Sequence, residues 1–341
     1  MSGLDALVVY GFAFLLPLAA TLLFTPVAAG VARRLGLLDR PSTQKAHLEV
    51  TPYLGGVAVA VGLVVAGFVI GSTVRQAAVV AACALVILLL GLVDDLRGLG
   101  PAVRIAVEAS LAVVLWFEDV RAGFFGIPAL DLALTIAWIV AITNALNLLD
   151  NMDGLASGVT ALASLAYFAI AVSQGDYLVA SFAAALAGAS VGFLRHNFPP
   201  ARIFLGDAGS LLLGFLLAVL GLMLDLDVPN DVLRIGVQAL ILGVPVFDTT
   251  FVVVSRLRGG RPLLLGGKDH SSHRLAAFGL TGRQVAVTTY AAQLACSSIA
   301  VAWVVAGSVA IPVAVAWIVL GLAAGSAFAV HQRLRRLRTS R

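Results

Sequence analysis

Two adjacent carboxylates, Asp94 and Asp95, follow directly on the apolar run VILLLGLV. At a membrane boundary such a pair repels itself unless a cation or a proton intervenes. Interfacial anchoring is the bland alternative, but anchors are normally Lys, Arg, Trp or Tyr, so the pair reads as functional. A second cluster, NALNLLDNMDG from Asn144 to Gly154, spaces Asn147, Asp150 and Asn151 at i, i+3 and i+4, with Asp153 three after Asp150. If helical, these groups share one face. Their amide and carboxylate oxygens suit a hard cation such as Mg²⁺. A helix C-terminus running into a polar turn capped by Gly154 is the plainer reading, and a poorer one for so many Asn and Asp in an apolar stretch.

The third cluster, NFPPARIFLGDAGS, holds Asn197, Asp207, Gly209 and Ser210, with Gly206 and Gly209 flanking the Asp just ahead of an apolar run. An ordinary N-cap is one reading. Phosphate binding is compatible with it, because backbone N–H groups at a helix N-terminus attract anions. The fourth region, about 256–283, carries Arg256, Arg258, Arg261, Lys268 and the run DHSSHRL, Asp269 to Leu275. His270 and His273 are three apart and lack the i, i+4 spacing of a helical zinc pair. Phosphate binding by His273 and Arg274 suits the basic surroundings better. Oxygen ligands for a divalent cation beside cationic groups for phosphate are the equipment of phosphoryl transfer. A lipid phosphate would sit naturally at that depth, with its chain between helices.

These clusters need a scaffold, and the composition says which kind. Hydrophobic residues make up 60% of the 341 and charged residues 12%, with a mean hydropathy of +1.02. Soluble domains are about a quarter charged, so the chain is built for a bilayer. The expectation is an all-α polytopic membrane protein of about eleven spans near 4–31, 53–71, 76–93, 104–118, 129–147, 155–173, 177–194, 210–226, 233–255, 284–306 and 310–330. Gly188 and Gly192, four apart, predict close helix packing. The two cysteines lie inside apolar runs, so no disulfide framework is indicated. The first apolar stretch has no basic residue before Arg33 and reads as a retained helix, not a signal peptide.

One set of connections, about 32–52, 94–104, 147–155, 195–210 and 256–283, with a basic tail over 331–341, holds nearly all the Lys and Arg. The other side has only Arg75, Arg121 and Arg234. That bias puts the four clusters in the cytoplasm, the N-terminus outside and the C-terminus inside, with the whole of 1–341 one membrane domain.

The segments LLDRPSTQKAH…TPYLGG, LGLVDDLRGLGPAVR, NALNLLDNMDGLA, NFPPARIFLGDAGSLLLG, PVFDTTFVVVSRL and HSSHRL, in this order from about Leu37 to Leu275, resemble the polyprenyl-phosphate N-acetylhexosamine-1-phosphate transferases. The resemblance implies an enzyme that moves a sugar 1-phosphate from a UDP-HexNAc onto polyprenyl phosphate and releases UMP. Such an enzyme would be a phosphoglycosyltransferase of the plasma (inner) membrane, opening a cell-envelope glycan pathway such as that of lipopolysaccharide, teichoic acid or arabinogalactan. It implies Mg²⁺, with Mn²⁺ as a substitute, held by Asn147 and Asp207. Asp94 is then the base or orienting carboxylate for the lipid phosphate, with Asp95 beside it supporting the metal region. Asp150 and Asp153 shape the nucleotide and metal pocket. Arg104 contacts phosphate; His273 and Arg274 bind the diphosphate; Lys45, His47, Asn197 and His270 complete the substrate-binding set. No nucleic acid is implied, and a homodimer is allowed. The histidine segment is similar to that of the branch using UDP-N-acetylglucosamine. The phospho-N-acetylmuramoyl-pentapeptide branch carries three consecutive histidines after a MAPL-like run, which is absent. Ser272 departs from the HxHHR pattern of the first branch.

A cation-coupled transporter is the rival from another class. It would place coupling residues near the midplane of repeated halves, whereas only Glu108 and Asp248 approach span interiors and no repeat is visible.

Overall fold

Lipid offers no partner to an unpaired backbone group, and the chain answers with helices. The computed structural model describes residues 3–39, 50–70, 75–226, 228, 231–262, 267 and 269–306. Lys45, His47, Lys268, the expected eleventh span over 310–330 and the basic tail lie outside these residues. The described helices are α1 (Gly3–Leu35), α2 (Gly55–Ile70), α3 (Arg75–Arg97), α4 (Pro101–Trp116), α5 (Pro128–Leu149) and α6 (Leu155–Gln174). They continue with α7 (Tyr177–Asn197), α8 (Gly206–Met223), α9 (Asp231–Ile241), α10 (Gly243–Arg258), α11 (Ser271–Ala277) and α12 (Gly282–Ala306). A two-residue antiparallel pair, β1 (Leu38–Asp39) with β2 (Thr51–Pro52), closes the connection after α1.

Among the described residues, α1, α3, α5, α6, α7, α8 and α12 are long and apolar enough to cross a membrane. The segment expected as one span over 233–255 is not one straight helix: α9 and α10 meet at 93° and make at most one broken span. The cause is local. Pro245 has no N–H to give the Ile241 carbonyl, four residues back. Gln293, buried in α12, closes the break by donating Nε2 to the Ile241 carbonyl (2.7 Å) and accepting from the Val244 N–H (3.1 Å). The expected spans 53–71 and 104–118 are the 16-residue helices α2 and α4, each roughly 24 Å long at the helical rise.

Prolines and glycines set the packing of the rest. Pro26, inside α1, frees the Leu22 carbonyl, and His196 on α7 hydrogen-bonds it through Nε2 at 3.1 Å. That contact gives one of the five histidines a place in the scaffold. The expected close approach at Gly188 and Gly192 is present: a Cβ on Gly192 would lie 2.5 Å from the Leu18 carbonyl oxygen, and one on Gly188 would strike that of Phe14. Helix α8 is the hub, with every residue from Ala208 to Gly221 buried. Helices α2, α3, α5 and α6 pack around it. Gly91 of α3 faces the α8 backbone at Ala208, and Gly56 of α2 faces it at Gly209.

Candidate active site

The N-terminus of α8 is built by segments far away in the chain. Phe204 N–H donates to the Pro52 carbonyl (2.9 Å), while Gly55 and Gly56 N–H donate to the carbonyls of Phe204 and Leu205 (3.0 and 2.9 Å). This stitching is what the TPYLGG motif does here. The chain then enters α8 through Gly206 at φ +75°, where a side chain would also run into Asp95. Asp95 accepts from the N–H groups of Asp207 (2.8 Å) and Ala208 (3.1 Å), one to each carboxylate oxygen. A carboxylate on one helix thereby caps another. Two of the α8 N–H groups that the sequence offered to a phosphate, those of Asp207 and Ala208, are thus taken by Asp95, which fixes the backbone that carries the Asp207 side chain. Replacing Asp95 with Asn keeps one acceptor and loses the charge. In the transfer that the sequence resemblance implies, turnover should then fall about 10- to 100-fold, with the donor KM changed less than kcat, read from initial rates.

Asp94 and Asp95 lie in the last turns of α3, which continues to Arg97 instead of ending at 93. Asp94 is 5% exposed. It accepts from the Leu99 N–H (2.5 Å) and pairs with Arg104 Nη1 (2.7 Å). Arg104 sits in the first turn of α4, started by Pro101. The same Nη1 is 4.0 Å from Asp207 Oδ2, so one guanidinium stands between two carboxylates. One turn further along α4, the fully buried Glu108 accepts from Asn144 Nδ2 of α5 (2.5 Å).

Helix α5 ends at Leu149 with Asp150 as its C-cap, so the shared helical face expected for Asn147, Asp150, Asn151 and Asp153 does not form. The backbone leaves the helix at Asp150 (ψ +41°) and passes through turns to Gly154 at φ +75°. The plainer reading of this stretch, a helix end in a polar turn, holds for its backbone, except that Asp150 caps α5 and Gly154 is the N-cap of α6. The tertiary structure still brings its side chains to α8. Asn147 Nδ2 donates to Asp207 Oδ1 (2.6 Å) and Ser210 Oγ (2.9 Å). Burial first, then the like charges of Asp207, Asp95 and Asp153, push the Asp150 carboxyl up to about 8. Asp153 accepts from the Ala201 N–H (2.9 Å) and so fastens this turn to the 198–205 connection. Asn197, expected to touch substrate, is 2% exposed. It accepts from the Gly154 N–H and Ser157 Oγ and donates to the Ile203 carbonyl. Its amide holds the connections on either side of the site.

Within the basic region, Ser271–Ala277 form the short helix α11, which packs against α12 and α10 and reaches the α5–α6 turn through Ser272. His270 (4% exposed) hydrogen-bonds Asp248 Oδ2 through Nδ1 (2.7 Å). The ring of His273 stands 6.1 Å from that of His270. Arg274 reaches Ser255 Oγ (3.2 Å) and lies 4.4 Å over the Phe251 ring. Asp269 pairs with Arg256 (3.3 Å) and Arg261 (2.8 Å), engaging two of the basic residues of this region.

Asp94, Asp95, Arg104, Asn147 and Asp207 therefore meet at one end of the bundle, from α3, α4, α5 and α8. Asp150 and Asp153 border them. Sequence reasoning offers Asn151 as a cation ligand and gives Asp248 no site role; the structure engages both with the 270–272 segment. Among the described residues no three acids, histidines or cysteines already form a metal cage. The donor set nevertheless fits Mg²⁺, which takes one or two carboxylates, keeps several waters and completes its sphere with substrate phosphates.

Residues 77–225 match the glycosyl transferase family 4. Over 288 residues, 82% of this chain and 80% of the relative, the chain is 35% identical to a Bacillus subtilis protein named "probable undecaprenyl-phosphate N-acetylglucosaminyl 1-phosphate transferase". It is 33% identical to the decaprenyl-phosphate N-acetylglucosaminephosphotransferase of Mycobacterium tuberculosis over 76% of the chain and 74% of that relative. Identity to the phospho-N-acetylmuramoyl-pentapeptide-transferase of Moorella thermoacetica is 32%, over 73% of the chain and 85% of the relative.

Proposed function

The chain belongs to glycosyl transferase family 4 and is a phosphoglycosyltransferase, and from that premise we propose that it transfers an N-acetylhexosamine 1-phosphate from a UDP-sugar to polyprenyl phosphate. N-Acetylglucosamine 1-phosphate is the first choice of cargo, in keeping with the names of two of the relatives above. The observation that carries the reading is the convergence of Asp94, Arg104, Asn147 and Asp207 within 2.6–4.0 Å of one another in three contacts, at the end of a bundle of apolar helices.

In the transfer, an oxygen of the lipid phosphate forms a bond to the phosphorus that carries the sugar. The bond from that phosphorus to the bridging oxygen breaks, and UMP leaves with the electron pair. A phosphate monoester is largely a dianion at neutral pH, so the acceptor needs orientation and charge balance more than deprotonation. Arg104, held by Asp94, supplies the cation for it. Asp94 and the Leu99 N–H fix where that cation points. Asn147 and Asp95 fix where Asp207 points. His273 and Arg274 bind the donor's phosphates from the α11 side. Asp207 and Asn147 would hold Mg²⁺, which supplies charge neutralisation at the diphosphate. The site faces the cytoplasm, a reading supported by Arg33, Arg34, Arg97, Arg195, Arg202 and the basic residues of α10–α11 at this end.

The test is the fate of the two phosphorus atoms. With donor labelled at the sugar-bearing phosphate, the label should appear in a polyprenyl diphospho-sugar, with unlabelled UMP released. Label in free phosphate or in UMP would exclude this reaction. Chelation with EDTA should abolish turnover, and excess Mg²⁺ or Mn²⁺ should restore it; activity that survives exhaustive chelation removes the cation from the account.

A further inference from the structure

Helix α11 has seven residues, too short to be stable alone. Its position must come from contacts, and two buried ones stand out. Beneath its start, Asp248 of α10 is 1% exposed and takes three interactions. His270 Nδ1 meets Oδ2 at 2.7 Å, while the Ser271 N–H and Ser271 Oγ donate to Oδ1 at 2.7 and 2.6 Å. Beside its first turn, Ser272 is 2% exposed and donates Oγ to Asn151 Oδ1 at 2.5 Å. Asn151 is itself fixed, because its Nδ2 donates to the Leu148 carbonyl near the end of α5 (2.7 Å). Asn151 is also the neighbour of Asp150, on the turn that borders the acid cluster.

We infer that Asp248 and the Asn151–Ser272 pair are positioning residues that set α11 against the α5–α6 turn, and so fix where His273 and Arg274 meet the donor's diphosphate. The inference rests on the transfer proposed above for the role of His273 and Arg274, while the docking itself does not. Ser272 stands where a histidine belongs in the family's HxHHR pattern, and the contact shows what a small hydroxyl does there. It reaches Asn151 from a buried position in which it carries no charge. Its removal therefore acts on geometry and leaves the charges of the segment as they were. Asp248 works from the other side, through a carboxylate whose two oxygens are both engaged by 270–271.

Two measurements on the full-length purified chain separate the possibilities. Hydrogen exchange of the amides over 270–277 reads docking without any turnover. Ser272→Ala and Asp248→Asn should each speed exchange there by about tenfold, leaving α7 unchanged, and Ser272→Thr, which keeps the hydroxyl, should stay within twofold of the wild type. In steady-state assays, both variants should raise the donor KM about five- to tenfold with the polyprenyl-phosphate KM unchanged. Unchanged exchange over 270–277 in both variants would overturn the docking role. Faster exchange with donor and lipid KM rising together would reduce it to general stability. A wild type with no turnover would count against the transfer reading alone, since the exchange measurement still decides the anchors.

Discussion

Asp207→Ala is expected to lower UMP release by roughly 10³-fold without unfolding the protein. Asp207 is the acid on which the site converges. Asp95 caps the turn that carries it, Asn147 donates to it at 2.6 Å, and Arg104 lies 4.0 Å away. Alanine keeps the α8 backbone, so the Asp95 cap survives, and it removes one negative charge from a crowded group of carboxylates. The melting temperature should therefore stay level or rise, as happens when a functional site gives up strained charge for stability. Asp207→Asn should be nearly as inactive, because an amide retains the shape and loses the charge that a cation needs. Rate assays beside a thermal melt check both parts. A variant melting well below the wild type would make the loss of rate a folding effect.

Arg104→Ala carries the second large effect, with the opposite signature for stability. Asp94 is 5% exposed, and its Oδ2 depends on Arg104. Breaking a buried pair from one side leaves the other charge uncompensated, at a cost of about 3–5 kcal/mol. The Arg104 side chain keeps 18% of its exposure, which places the expected loss at the lower end of that range. Turnover should fall at least about 100-fold, with the lipid-phosphate KM rising more than the donor KM. Arg104→Lys should recover the stability better than the rate, since one ammonium can pair with Asp94 but brings no second guanidinium nitrogen to a phosphate. Equal rises in both KM values would remove Arg104 from the acceptor side.

The two variants together show which features were legible in the sequence. Asp94, Asp95 and Asp207 announced themselves because acids at the edge of apolar runs are costly, and cost is visible without a fold. The geometry joining them was not. That Asp95 would cap a helix beginning at Gly206, 111 residues later, has no local signal, and the sequence offered those N–H groups to a ligand. The helical face proposed for Asn147 to Asp153 failed because periodicity says nothing about where a helix stops, and α5 stops at Leu149. The bend between α9 and α10 did leave a trace in Gly243 and Pro245. An apolar window of span length outweighed it, and Gln293, whose side chain completes the break, lies some fifty residues downstream. Asn197 is the reverse case: a polar residue in a quoted motif whose amide is consumed by the scaffold. Motif membership marks a residue as needed and leaves open whether it serves the fold or the ligand.

The account is tested most directly by UMP release from the purified chain supplied with UDP-N-acetylglucosamine, polyprenyl phosphate and Mg²⁺. Release that requires both the lipid and the cation, and disappears in Asp207→Ala, is the predicted result. Folded protein that releases no UMP with any UDP-N-acetylhexosamine, or releases it equally without the lipid, would contradict the proposed transfer.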